Sequence, residues 1–206
     1  MEKRHPHLSL RTPEGCSLSQ ATSFNRHNVN MFYDKLHDIM LREPAFADGT
    51  RVYNLDETCT MTVQKCAKVL VVKGQKQIGK VTSAEKGTLI TTCCIINAAG
   101  NSLPPIMIFP CVHFKQHMLV GDPIGTLGLA TPSGWMNTEL FVETMRHFIK
   151  HTNSSKENAS LLIMDNFEAY ISLKAIDLAK DNGVTILTVP PHSTGKIQPL
   201  TVCMHF

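Results

Sequence analysis

No apolar run in this sequence approaches the ~18 residues needed to span a bilayer, and its opening residues, Met-Glu-Lys-Arg-His, lack the apolar stretch of a signal peptide. A soluble intracellular chain is therefore expected. There is also no block of lysines or arginines. Lys and Arg number 20 against 17 Asp and Glu, a net charge of +3, so composition alone does not announce a nucleic-acid binder and any such contact must come from local patches. The 7 cysteines are odd in number and nowhere spaced Cys-x-x-Cys, which argues against both a disulfide framework and a structural zinc site. Cys93 and Cys94, adjacent in an apolar strand, should face opposite sides of a sheet. What the chain does have is length and apolar content. With 206 residues, 43% of them hydrophobic, it can build one main α/β domain with a real core and an appendage.

The stretch 160–202 is the most informative. Leu161, Leu162, Ile163 and Met164 form a short apolar run that reads as a strand buried on both faces, and it ends abruptly in Asp165 and Asn166. Ser172 is a helix N-cap candidate. Leu173, Ile176 and Ala179 then recur at helical spacing until Asn182 and Gly183 supply a stop. A β-branched run, 184–189, follows and is closed by Pro190 and Pro191. Strand, helix, strand implies a right-handed crossover between parallel strands. In open α/β sheets ligands and catalytic groups gather beyond the strands' carboxyl ends, so Asp165 is placed for chemistry, with a turn aspartate as the alternative.

The rest of the chain supports the same class. Residues 1–48 read as a linker entering a helical segment, in which Val29, Phe32, Tyr33, Leu36, Ile39 and Met40 form one apolar stripe up to Pro44, and 49–206 read as the main domain. After a turn at Asp48-Gly49, residues 51–55 form a strand that should end at Asp56-Glu57-Thr58. Residues 59–86 concentrate lysines, among them Lys65, Lys73 and Lys76. They offer either DNA-backbone contacts or a solvated edge that discourages strand pairing. Residues 88–96 and 103–109 form a hairpin, 110–136 an irregular surface excursion, and Asn137 starts a helix whose Leu140, Phe141, Met145, Phe148 and Ile149 face the sheet. His147 and His151, like His113 and His117, are spaced i, i+4, but no third ligand of recognised spacing completes a zinc site. His192, after Pro-Pro beside the crevice, is open to a phosphate contact or a structural hydrogen bond. The order of elements is that of a ribonuclease-H-like mixed sheet with flanking helices.

Several of these words together carry a resemblance. Asn54-Leu-Asp-Glu-Thr58, Leu162-Ile-Met-Asp-Asn166, Asn182-Gly-Val184, Val189-Pro-Pro-His-Ser193 and Gln198-Pro-Leu200 resemble, in order, the DDE-type endonuclease domain of the pogo, Tigger and Jerky transposase group. Residues 4–26 resemble the segment that joins DNA-binding helices to that domain in Jerky-like members, although the helix-turn-helix modules themselves are absent. The family's last word reads Gln-Pro-Leu-Asp, whereas here it ends in Thr201. The resemblance implies that Asp56 and Asp165 hold Mg²⁺ or Mn²⁺, with Thr201 as a degenerate third position. It implies DNA as the partner, met by Lys65, Lys73, Lys76 and His192, and a nuclear location. The implied chemistry is metal-dependent attack of water, then of a DNA 3′-hydroxyl, on a phosphodiester, weak or absent here for want of the third acid. The family fold closes with a further helix, so a domain incomplete at its carboxyl end is expected. An impaired endonuclease, a non-catalytic DNA-binding module and a protein-interaction fragment all remain open.

Overall fold

The computed structural model describes residues 24–61, 89–191 and 193–203. Six strands form one mixed sheet: β1 (Val52–Met61), β2 (Leu89–Asn97), β3 (Ile106–Pro110), β4 (Leu127–Thr131), β5 (Ser160–Met164) and β6 (Val184–Thr188), in the order β4-β3-β2-β1-β5-β6. β1, β2 and β3 pair antiparallel, while β5 runs parallel to both β1 and β6. The carboxyl ends of β1, β5 and β6 therefore open on the same side.

Every residue of β5 is buried, which explains why it carries no polar alternation. Its side chains instead serve two cores. Leu162 and Met164 join Tyr53, Leu55, Ile95 and Ile108 beneath α2 (Thr138–Thr152) and α3 (Leu173–Asp181). Leu161 and Ile163 project to the opposite face, where Leu187 and Val189 meet Phe32 of α1 (Arg26–Arg42) and Phe46 just after it. The apolar stripe of α1 is thus a core contact. The helix starts follow from side-chain caps: Asn25, Asn137 and Ser172 accept hydrogen bonds from the amides of Asn28, Leu140 and Ala175. At the amino end of β1 the Arg51 guanidinium donates to the carbonyls of Ala159, Thr152 and Asn158 at 3.0, 2.7 and 2.6 Å, fastening β1 to the loop that feeds β5.

Three expectations change. The segment 110–136 is not irregular throughout. It contains β4, paired parallel to β3 from Ile106↔Leu127 to Pro110↔Thr131. With a glycine at its second position and only one fully buried residue, this edge strand carries no alternating signal. The strand carrying Asp56 does not stop there. β1 continues to Met61 against β2, and only its pairing with β5 ends, at Asn54↔Ile163. Finally, α3 turns Ala175 and Ala179 inward, leaving Leu173 79% and Ile176 41% exposed, because small residues let the helix lie close to the sheet.

Candidate active site at the parting of two parallel strands

An offset of 109 residues relates Asn54 to Ile163 in the parallel ladder, and the same offset relates Asp56 to Asp165. Carried two residues past the last pair, the register sets these carboxylates side by side where β1 leaves β5, at the ~4.8 Å spacing of neighbouring strands. By strand alternation Asp56 shares its face with Asn54. Both carboxylates are half-buried. Burial holds the Asp165 carboxyl above the ordinary aspartate value, and the charge of Asp56 adds to the effect, while a hydrogen bond from the Phe167 amide opposes it. Among the described residues the one ion pair is Arg146 with Glu143, on the surface of α2, so neither crevice aspartate has a cationic partner there.

The segment after β6 closes over this point. The short helices α4 (Thr194–Ile197) and α5 (Pro199–Cys203) bracket Gln198, whose Nε2 donates to the Leu55 carbonyl at 2.8 Å. The Leu200 amide donates to Asn54 Oδ1 at 2.9 Å, and the Thr201 hydroxyl donates to Asp56 Oδ2 at 2.5 Å. Three residues of Gln-Pro-Leu-Thr thus grip three consecutive residues of β1. Asn54 also donates from Nδ2 to the Ile163 carbonyl at 3.0 Å, tying β1, β5 and α5 with a single side chain.

Glu57 faces the other way, toward the core beneath α2. It accepts a hydrogen bond from the hydroxyl of Tyr170, a residue only 3% exposed. Burial raises the Glu57 carboxyl against that hydrogen bond, with the charges of Asp165 and Asp56 adding to the rise, and burial likewise drives the Tyr170 phenol well above its ordinary value. Beside Asp56, the Cys94 thiol is pushed up by burial and by the aspartate's charge.

Among the described residues no group of three or more His, Cys, Asp or Glu side chains is placed to hold a metal. The donor set that is present, two carboxylates with no cationic side chain beside them among the described residues and a hydroxyl, fits one hard divalent cation completed by water or phosphate oxygens, and does not make a three-acid cage. His147 has a structural role: its Nε2 lies 2.8 Å from the Pro104 carbonyl, and its ring packs on His151 with centroids 4.3 Å apart. Lys65, Lys73, Lys76 and His192 lie outside the described residues.

Asn54, Gln198, Tyr170 and Phe167 belong to the site without having drawn a role from sequence reasoning. Asn54 left a usable signal, a polar residue two positions before an acid in an otherwise apolar strand, hence on the acid's face.

This is a ribonuclease-H-like arrangement: a mixed sheet flanked by helices, with acidic side chains where two central strands part. The family model for the DDE superfamily endonuclease matches residues 86–204, and the chain belongs to that family. A protein of Cochliobolus lunatus described as the MFS-type transporter clz9 is 34% identical over 155 residues, which cover 73% of this chain and 17% of that protein. Among solved structures, the Mos1 transposase paired-end complex with left transposon end superposes with a TM-score of 0.54 at 12% identity, over 98% of this chain and 53% of that one. The mariner Mos1 paired end complex with Mg gives 0.54 and 12%, over 98% and 54%. At such identity these structures bear on the fold alone. The chain spans less than a fifth of the first relative and about half of the transposase chains.

Proposed function

We propose that this chain is a transposase-derived nucleic-acid-binding domain of the pogo, Tigger and Jerky type, which holds a divalent cation weakly between Asp56 and Asp165 and cleaves DNA poorly or not at all. The observation that carries the reading is the Thr201 hydroxyl bonded to Asp56 at 2.5 Å. It stands where the resemblance expects a third carboxylate and supplies a neutral donor in its place. A bound Mg²⁺ or Mn²⁺ would offer a Lewis acid to a phosphoryl oxygen. The chain's own contribution would be to hold that cation with the carboxylates of Asp56 and Asp165 and to keep the crevice partly dry. With the Thr201 proton spent on Asp56, the site has less anionic oxygen than a three-acid one, which favours binding over turnover. The family membership and the Mos1 complexes, one with a transposon end and one with Mg, support DNA and a divalent cation as the ligands.

The test is calorimetric titration with Mn²⁺ and Mg²⁺ alongside a plasmid nicking assay. Wild-type protein is expected to bind Mn²⁺ weakly and to nick little. Thr201→Asp should tighten binding about tenfold or more through the added carboxylate, and Asp165→Asn should abolish it. A correctly folded Thr201→Asp protein with unchanged affinity, or robust nicking that survives Asp165→Asn, would overturn the assignment.

A further inference from the structure

Two residues after Asp165 stands Phe167, 46% exposed. A lone exposed apolar side chain is ordinary, yet three observations set this one apart. Its amide donates to Asp165 Oδ1 at 3.1 Å, so its backbone is fixed relative to the carboxylate. Its ring rests edge-on against Tyr170, with centroids 5.3 Å apart at 80°, and Tyr170 in turn packs on Phe141 at 4.5 Å and 30°. Buried Tyr170 is also held by Glu57, so three rings step from the core to the surface and the outermost is braced. Finally, Phe167 lines an open hollow of about 480 Å³ together with Asp165, Asn166, Pro190, Pro191 and Thr194. That is within the ~300–1,000 Å³ of small-ligand sites. Gly195 adds room, since a Cβ there would meet nothing within 4 Å.

Flat apolar walls from an aromatic and two proline rings, with an amide and a hydroxyl at the rim, suit a flat ligand with polar edges. In an intact duplex the bases are stacked on each other and cannot offer their faces; an unpaired base can. We propose that this hollow receives one unpaired nucleobase, which stacks on Phe167 beside Asp165, so that the chain prefers nucleic acid bearing an unstacked nucleotide. The proposal rests on the nucleic-acid reading above and adds the form of the substrate to it. Because every base has a π-face, the preference is for an unpaired base of any kind and not for a sequence.

The test uses the 206-residue chain and three labelled duplexes of one sequence: one with an unpaired 2-aminopurine, one with an abasic nucleotide in its place, and one fully paired. Affinities are read by fluorescence anisotropy, and stacking by quenching of 2-aminopurine. Wild-type protein should bind the duplex with the unpaired base about 5- to 140-fold more tightly than the abasic one, the range of base–aromatic stacking, and should quench its fluorescence. Phe167→Ala should erase both the preference and the quenching, and Phe167→Tyr should keep them. Equal affinity of wild type for the unpaired-base and abasic duplexes, or a preference that survives Phe167→Ala, would overturn the pocket while leaving DNA binding intact. Failure to bind any of the three at low salt would remove the nucleic-acid reading and the pocket with it.

Discussion

Asn54 ties the site together more than either aspartate does. Its carboxamide satisfies two buried backbone groups at once, the Ile163 carbonyl and the Leu200 amide. Asn54→Ala leaves both without a partner, and a buried unsatisfied group costs about 1–3 kcal/mol. The variant should lose about 2–4 kcal/mol in urea unfolding, whereas Thr58→Ala, four residues along the same face and exposed, should stay within about 0.5 kcal/mol of wild type. An Asn54→Ala protein as stable as wild type would mean that α5 is held by something else. The same residue shows the limit of sequence reading. The acids are legible because the short words around Asp56 and Asp165 occur together in the order of the DDE-type domain, but the asparagine that sets their register looks like any strand polar residue until its two partners, over a hundred positions away, are known.

At the scale of elements, caps and stops are written locally and were readable: the starts of α2 and α3, and the stop after α3, where Gly183 takes a φ of +66. A Cβ at Gly183 would come 2.0 Å from the Ser155 carbonyl oxygen, so the residue is required twice, by its backbone conformation and by the close approach of the loop before β5. Gly183→Ala should therefore cost more than about 2 kcal/mol, while Gly195→Ala, which meets nothing within 4 Å, should be near neutral to folding; thermal melts of the two variants decide it. What was not readable depended on partners distant in sequence. Edge strand β4 exists because β3 presents a free edge to it, and five residues with a glycine at the second position do not advertise that. The inward face of α3 is chosen by the distance to the sheet, which selects Ala175 and Ala179 over the larger Leu173 and Ile176. The extension of β1 beyond Asp56 is imposed by β2, whose matching strand runs to Leu89.

Across the whole molecule, the crevice concentrates negative charge that the described residues do not neutralise. Asp165 and Glu57 both have carboxyls raised above their ordinary values, chiefly by burial. Each therefore binds a proton more tightly in the folded state than in the unfolded one. The sign follows directly: their contribution to stability is fully present below the ordinary carboxylate range and is lost as pH rises through the raised values. His147, whose folded value is lowered by burial, works in the opposite direction at mildly acid pH, so the raw pH profile of the protein mixes the two. The difference between wild type and Asp165→Asn isolates the carboxylate. Asp165→Asn should melt higher than wild type near neutral pH, and the gap should close as the pH falls toward about 4 and the wild-type carboxyl takes up its proton. A divalent cation should do for the wild type what the amide does for the variant. At a hundredfold excess over its dissociation constant, Mg²⁺ or Mn²⁺ adds ~2.7 kcal/mol to the folded state, worth about 5–10 °C in Tm for a domain of this size. That shift should weaken as the pH falls and the Asp165 carboxyl, held above its ordinary value by burial, takes up its proton, and should vanish in Asp165→Asn. An equal metal-induced shift in the two proteins would show that the cation binds elsewhere, and that the negative crevice awaits a basic partner instead.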